Sequence, residues 1–296
     1  MTQSIPAGVQ CACTAAKRGH HVTLIEQNDR IGGMLIPGSR PRIKFDIANY
    51  LTHLDEMLRQ HGRERQLEVK CNTRATVELL RDGGFDAVVL CTGASPKRFP
   101  VDGIDLPHVV QAVDLLRDPS VDEQARRVVV VGGGDVGCEI ASFLACERGK
   151  TVTVIEMLPY FMKNSCTANR GYLIHYLEKK GVELWNCTRL HRIRPHTVTV
   201  IRNVSPTVPF PYVTWSPILP ENVVNPLARP IRVQEKEVSI EADLVVLAMG
   251  VEPDDALYET CVRERIAPEI HNIGGSFAPG RIFKATKAGD RLGRTL

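Results

Sequence analysis

Apolar positions along the chain fall in short runs separated by glycine turns. Four consecutive valines, Val128 to Val131, lead into Gly132-Gly133-Gly134-Asp135-Val136-Gly137. Apolar residues then recur at helical spacing (Val136, Ile140, Phe143, Leu144). After Gly149 a second run, 152–155, closes at Glu156. Continuous apolar runs predict buried strands, and the spacing between them predicts a helix with one apolar face. Strand, glycine turn, helix, strand and acid follow each other as in a dinucleotide-binding unit.

Each glycine of that turn has its own expected reason. Gly132 permits the tight turn off the strand. Gly134 lets the backbone approach a pyrophosphate where a Cβ would collide. Gly137 lets the helix pack against the strand. The helix starting at Asp135 and Val136 offers unpaired N–H groups and a partial positive charge to phosphates. Glu156 lies 19 residues beyond Gly137, where a carboxylate can accept hydrogen bonds from both ribose hydroxyls. The alternative is a glycine turn in another kind of α/β protein, such as a methyltransferase.

The same plan occurs twice. Residues 17–26 and 147–156 match at Arg-Gly, Val-Thr and Ile-Glu without a gap, and residues 85–94 mirror 242–251. Two copies predict two dinucleotides, usually held for hydride transfer between them. In the first copy Gly8 aligns with Gly137, but Gln3 and Ile5 stand at the first two glycine positions. Only Met1 and Thr2 precede them, too few for the first strand, so a gap between neighbouring strands is expected. The helix from Gly8 to Lys17 and the acid Glu26 remain.

Other glycine turns add candidates. Arg30 and Gly33, in Asp29-Arg30-Ile31-Gly32-Gly33, either contact the adenylate side of a flavin dinucleotide or belong to a simple reverse turn. Strand 85–91 ends at Thr92-Gly93, where a bare backbone turn can cover a pyrophosphate. Gly250 ends the equivalent strand of the second copy. Gly274 and Gly275 open a turn into a final helix, whose N-terminus would stabilise negative charge on a reduced flavin.

Between these landmarks the pattern predicts an amphipathic helix over 43–61 and short strands at 67–69 and 75–79. It also predicts helices over 112–116 and 169–180 and a strand over 182–185. Residues 189–241 read as irregular and proline-rich, except that 197–201 alternates and predicts one strand of a hairpin arm. Phe210, Tyr212 and Trp215 either cover a nicotinamide or a partner surface, or pin this loop to its domain.

A length of 296 residues accommodates about two domains. With 43% hydrophobic and 24% charged residues and a net charge of +3, the chain reads as an ordinary soluble globular protein. No Lys/Arg block points to nucleic acid, no apolar run approaches membrane-spanning length, and no signal peptide opens the sequence. Nine cysteines, none in C-x-x-C, exclude iron–sulfur spacing and a paired redox cysteine. No metal site is expected, and reduced thiols in a cytoplasmic protein fit the composition.

Pro6-Ala7-Gly8, Arg30-Ile31-Gly32-Gly33, Leu90-Cys91-Thr92-Gly93-Ala94-Ser95-Pro96, Val130-Val131-Gly132-Gly133-Gly134, Leu247-Ala248-Met249-Gly250 and Asn272-Ile273-Gly274-Gly275 occur in this order. Together they resemble the C-terminal half of bacterial NADH:flavin oxidoreductases of the 2,4-dienoyl-CoA reductase and 2-enoate reductase type. The resemblance implies an α/β fold of two Rossmann-like dinucleotide-binding domains, the second inserted in the first, the first lacking its N-terminal strand. It implies an FAD domain over 1–118 and 252–296 and an NAD(P)H domain over 119–251. FAD and NADH are the implied cofactors; NADPH fits less well, because its 2′-phosphate would meet Glu156.

In such enzymes this half passes hydride from NAD(P)H to FAD, and a barrel domain with FMN and an iron–sulfur cluster reduces an activated alkene. The barrel and its cluster cysteines do not occur in these residues, so alkene reduction is not implied for them. Gly275 stands where related flavoproteins often place an aspartate near the ribityl chain. No side chain is assigned as a catalytic acid or base. Two other readings remain: a non-catalytic nucleotide-binding fragment, and a diaphorase-like subunit donating to a flavin or iron–sulfur partner.

Overall fold

The computed structural model describes residues 6–63, 66–163, 165–214, 223 and 229–296. Two compact units divide the chain, one running to Lys97 and resuming over Val251–Leu296, the other spanning Arg98–Gly250. In chain order the first unit contributes α1 (Pro6–Lys17), β1 (Val22–Ile25), α2 (Leu35–Gly38), α3 (Phe45–Arg63), β2 (Leu67–Lys70), α4 (Val77–Asp82), β3 (Ala87–Leu90) and β4 (Ala94–Pro96). The second contributes β5 (Val109–Gln111), α5 (Ala112–Arg117), β6 (Arg127–Val131), α6 (Asp135–Ser142), β7 (Thr151–Ile155), α7 (Thr167–Lys179), β8 (Glu183–Trp185), β9 (Thr188–Arg194), β10 (Thr197–Asn203), β11 (Glu235–Glu241) and β12 (Leu244–Leu247). The chain then returns with β13 (Val251–Pro253), α8 (Ala256–Glu264), β14 (Glu269–Asn272) and α9 (Ile282–Gly293). Among the described residues no helix is long and apolar enough to cross a membrane.

The second unit is built on a five-stranded parallel sheet in the order β5-β12-β6-β7-β8. Its valine run is continuous because both faces are covered. Val128 and Val130 pack with Ile140, Leu144 and Leu177 on the helical face. Val129 and Val131 pack with Ile193, Val198 and Val200 of an antiparallel sheet in the order β11-β10-β9.

Three expectations change here. Residues 189–241 are not irregular throughout, since β10 pairs on one side with β9 and on the other with β11. The charged residues of the arm masked its pattern. Residues 98–118 lie in the second unit, because β5 pairs with β12. Val136 is 53% exposed and does not share the buried face of Ile140, Phe143 and Leu144, because the second residue of α6 stands clear of the sheet end.

In the first unit β1 pairs in parallel with β2, and β3 with β14. The corresponding pairs of the second unit, β7–β8 and β12–β5, are joined by β6. Among the described residues of the first unit no strand takes that place. Residues 1–5 lie outside the described part. The stretch 75–79 expected as a strand instead enters α4, because the Thr76 hydroxyl accepts from Leu79 N–H at 3.2 Å and caps a helix.

Helix α1 is rich in alanine, glycine and cysteine because α9 lies almost backbone to backbone against it. A Cβ on Gly289 would sit 2.2 Å from the carbonyl oxygen of Ala7, and one on Gly293 2.7 Å from that of Cys11. Small residues at these positions let the helices approach, and no side-chain movement relieves a clash with backbone. Gly289→Ala is therefore expected to cost about 2 kcal/mol or more in the stability of this unit. Denaturant unfolding checks it, and a wild-type midpoint counts against the contact.

Candidate dinucleotide site

The three glycines of the turn after β6 have three different surroundings. Gly132 has φ of +105°, and a Cβ there would lie 2.4 Å from the Ala248 carbonyl oxygen. A Cβ on Gly137 would lie 1.8 Å from the carbonyl oxygen of Gly132. Gly134 is the opposite case: it precedes the first turn of α6, and a Cβ there would meet no atom within 4 Å. Two glycines are demanded by the protein's own packing. The third faces open space above a helix N-terminus, where a phosphate is favoured.

Glu156 ends β7 beside this turn. Its Oε2 accepts from Gly133 N–H at 2.7 Å and its Oε1 from Leu158 N–H at 2.8 Å. Each ionised oxygen accepts two bonds, so one site remains on each, enough for a pair of ribose hydroxyls. The backbone of Glu156 is fixed as well, its N–H donating to Trp185 O at 2.9 Å and its carbonyl accepting from Thr188 N–H at 2.8 Å. Asp135, at the start of α6, accepts a hydrogen bond from the Ser165 hydroxyl. Gly250, just beyond β12, has φ of +89° and open surroundings.

One residue of the turn was not singled out from the sequence. Gly133 lies against Phe161, whose ring atoms would stand 2.2 Å from a Cβ at that position. Phe161 is fully buried, and the next residue, Met162, donates its N–H to the Gly133 carbonyl at 2.8 Å. No local pattern reveals this contact, because Phe161 arrives from the loop after β7.

In the first unit the predicted residues gather at two places. At one, the ends of α1, β3 and the 274–275 turn meet. Gly8 is buried in the first turn of α1. A Cβ on Gly274 would lie 2.9 Å from that of Ala7, and one on Gly275 3.3 Å from the backbone of Gly93. Gly93 has φ of +94°. The Thr92 hydroxyl donates to the carbonyl of Asp254, whose N–H returns to Gly93 O at 3.1 Å.

At the other place Glu26 is fully buried, and its Oε1 accepts both the N–H and the side-chain amide of Asn28, at 2.9 and 2.6 Å. Arg30 is exposed. Gly33 has φ of +48°, and its neighbour Gly32 abuts Leu51 and Ile36. All nine cysteines are free thiols. Burial pushes the Cys11 and Cys91 thiols up to about 12 and Cys13 to about 11, which keeps them protonated and unreactive.

A parallel α/β sheet, a glycine turn with open space over its helix and an acid at the end of the next strand define a dinucleotide-binding protein. The pyridine nucleotide-disulphide oxidoreductase family matches residues 6–267, and the chain belongs to it. It is 30% identical over 287 residues to an NADH oxidase of Thermoanaerobacter brockii, which covers 96% of this chain and 38% of that protein. It is 35% identical over 181 residues to a cinnamate reductase of Clostridium sporogenes, covering 60% of this chain and 26% of that one. A solved 2-naphthoyl-CoA reductase in complex with 2-naphthoyl-CoA superposes with a TM-score of 0.81 at 27% identity, over 100% of this chain and 39% of the other. The chain thus spans well under half the length of each of these relatives. The resemblance to the enoate reductase type stands at the level of this family.

The two kinds of glycine separate in experiment. Gly134→Val should leave stability within about 1 kcal/mol and abolish dinucleotide binding, because only the ligand's space is filled. Gly137→Ala should destabilise the unit by about 2 kcal/mol or more. Calorimetric titration with NADH together with thermal unfolding checks both, and retained affinity in Gly134→Val sinks the assignment.

Proposed function

We propose that this chain is the electron-input module of a larger reductase, taking hydride from NADH onto a bound FAD. The observation that carries the reading is the open space over Gly134 beside a fixed carboxylate with one accepting site left on each oxygen. In this reading the pyrophosphate of NADH lies on the first turn of α6, over Gly132 and Gly134, and near Asp135 and Val136. Glu156 accepts the adenosine ribose hydroxyls. Its charge disfavours a 2′-phosphate, so NADH is preferred to NADPH.

The first unit would hold FAD. Gly8, Thr92, Gly93, Gly274 and Gly275 would face its pyrophosphate and ribityl chain, and Glu26, Arg30 and Gly33 its adenosine. A bound flavin supplies the hydride acceptor. The chain's own part is binding and orientation, and no side chain is required as acid or base. Electrons would leave to a barrel domain carrying a flavin and an iron–sulfur cluster, or to another acceptor protein. The cinnamate reductase and the NADH oxidase are each much longer than this chain, which leaves room for such a further domain.

A second reading, a nucleotide-binding module without turnover, is favoured by Glu26, which is fully buried and already engaged by Asn28. The visible spectrum of the purified chain before and after anaerobic NADH distinguishes the two. Flavin absorbance that bleaches supports electron input, whereas a colourless chain that still binds NADH supports the second reading.

Glu156→Ala should weaken NADH about tenfold or more, the worth of bonds to a charged acceptor, and NADPH much less. Equal losses for the two nucleotides mean that Glu156 does not touch the ribose.

A further inference from the structure

The loop that follows Glu156 grips the glycine turn from both sides. Glu156 takes the N–H of Gly133, and Met162 donates to its carbonyl. Met162 holds a left-handed φ of +50°, uncommon for a residue with a side chain. Where this loop sits therefore decides where the Glu156 carboxylate stands relative to the turn.

Two buried side chains fix the loop, and both do so in the same way. Arg170 of α7, 2% exposed, donates from Nε to Phe161 O at 2.8 Å and from Nη1 to Thr214 O at 3.0 Å. Asn186, 3% exposed and just beyond β8, donates from Nδ2 to Pro159 O at 2.7 Å and to Pro209 O at 2.9 Å. Each thus links one carbonyl of the ribose-acid loop to one carbonyl of the proline-rich segment after β10. That segment is anchored in turn by the Tyr212 hydroxyl, which donates to Val182 O at 2.8 Å and accepts from Leu184 N–H at 3.2 Å.

The guanidinium of Arg170 is a costly group to bury on α7. Its Nη2 is buried and finds no acceptor among the described residues, and burial pulls its pKa down. Such a cost is understandable where two carbonyls on separate segments must be held at fixed spacing, which a planar fork of donors does and a lysine does not. The carbonyls it binds are those of a proline-interrupted segment and a tight loop, neither of which satisfies them in a helix or sheet.

We propose that Arg170 and Asn186 are positioning residues for the dinucleotide, clamping the ribose-acid loop to the proline-rich segment so that Glu156 meets the adenosine ribose. This rests on the reading of Glu156 as the ribose acceptor. The proline-rich segment then has a function at the nucleotide site without touching the nucleotide. In Asn186→Asp the shape remains but both donors are lost. In Arg170→Lys the charge remains but the fork is lost.

The test measures binding of ADP-ribose and 2′-deoxy-ADP-ribose by calorimetry to the full chain, wild type and both variants, each checked for folding by circular dichroism. In wild type, loss of the 2′-hydroxyl should weaken binding about tenfold, the worth of a bond to a charged acceptor. In the variants ADP-ribose itself should bind about tenfold more weakly, and removal of the hydroxyl should then cost less than twofold, because the two losses fall on one interaction. A full tenfold hydroxyl penalty in the folded variants overturns the proposal, as does unchanged affinity for ADP-ribose. A wild-type chain that shows no penalty overturns instead the assignment of Glu156. Either variant that folds suffices for the comparison.

Discussion

The nucleotide unit depends on one contact between backbones. Helix α6 lies so close to the turn after β6 that a methyl group at position 137 would overlap the carbonyl of Gly132, at 1.8 Å. That approach fixes the direction in which α6 leaves the sheet. It also brings Gly133 within reach of Glu156 at the end of β7. Turn, helix and acid are therefore joined by direct contacts.

The two copies of the plan use the same local device at their acids. In both, the carboxylate accepts the N–H of the residue two positions on, Leu158 in one and Asn28 in the other. The difference is the side chain there. Leucine leaves the remaining lone pairs of Glu156 available, whereas the amide of Asn28 takes a second bond to the same oxygen of Glu26. One motif thus leaves accepting sites on the acid of the second unit and has the acid of the first engaged by its own turn.

The antiparallel arm has a structural part in this arrangement. It covers the face of the parallel sheet that α6 and α7 do not, and so makes burial of all four valines of β6 possible. Its outer strands carry paired charges, such as Arg189 with Glu235 and Arg192 with Glu237, which suit an exposed sheet edge. Of the aromatic residues in the segment beyond it, Tyr212 pins the segment to β8 and Phe210 is exposed, while Trp215 lies outside the described residues.

Four strands of the parallel sheet (β6, β7, β8 and β12), the glycine turn and the acids at 26 and 156 were legible in the residues alone, whereas β5 was not. Apolar runs, glycine and a terminal carboxylate are local signals, and the internal repeat doubled them. Other features depended on residues far apart in sequence. The strand reading of 75–79 failed because the Thr76 hydroxyl caps a helix. The charged strands at 188–194 and 235–241 carried no alternation strong enough to read, and only pairing on both sides of β10 identifies them. That Gly134 faces open space while Gly132 and Gly137 are locked by carbonyls cannot be read from three identical letters. Nor can the contact of Gly133 with Phe161, or the clamps made by Arg170 and Asn186. The sequence by itself determined which segments form strands and helices around a nucleotide turn, because those depend on neighbours along the chain. Tertiary structure decided which glycines are locked by backbone carbonyls and which faces open space, and which buried side chains bind the loop after Glu156, because those depend on what the fold brings against them.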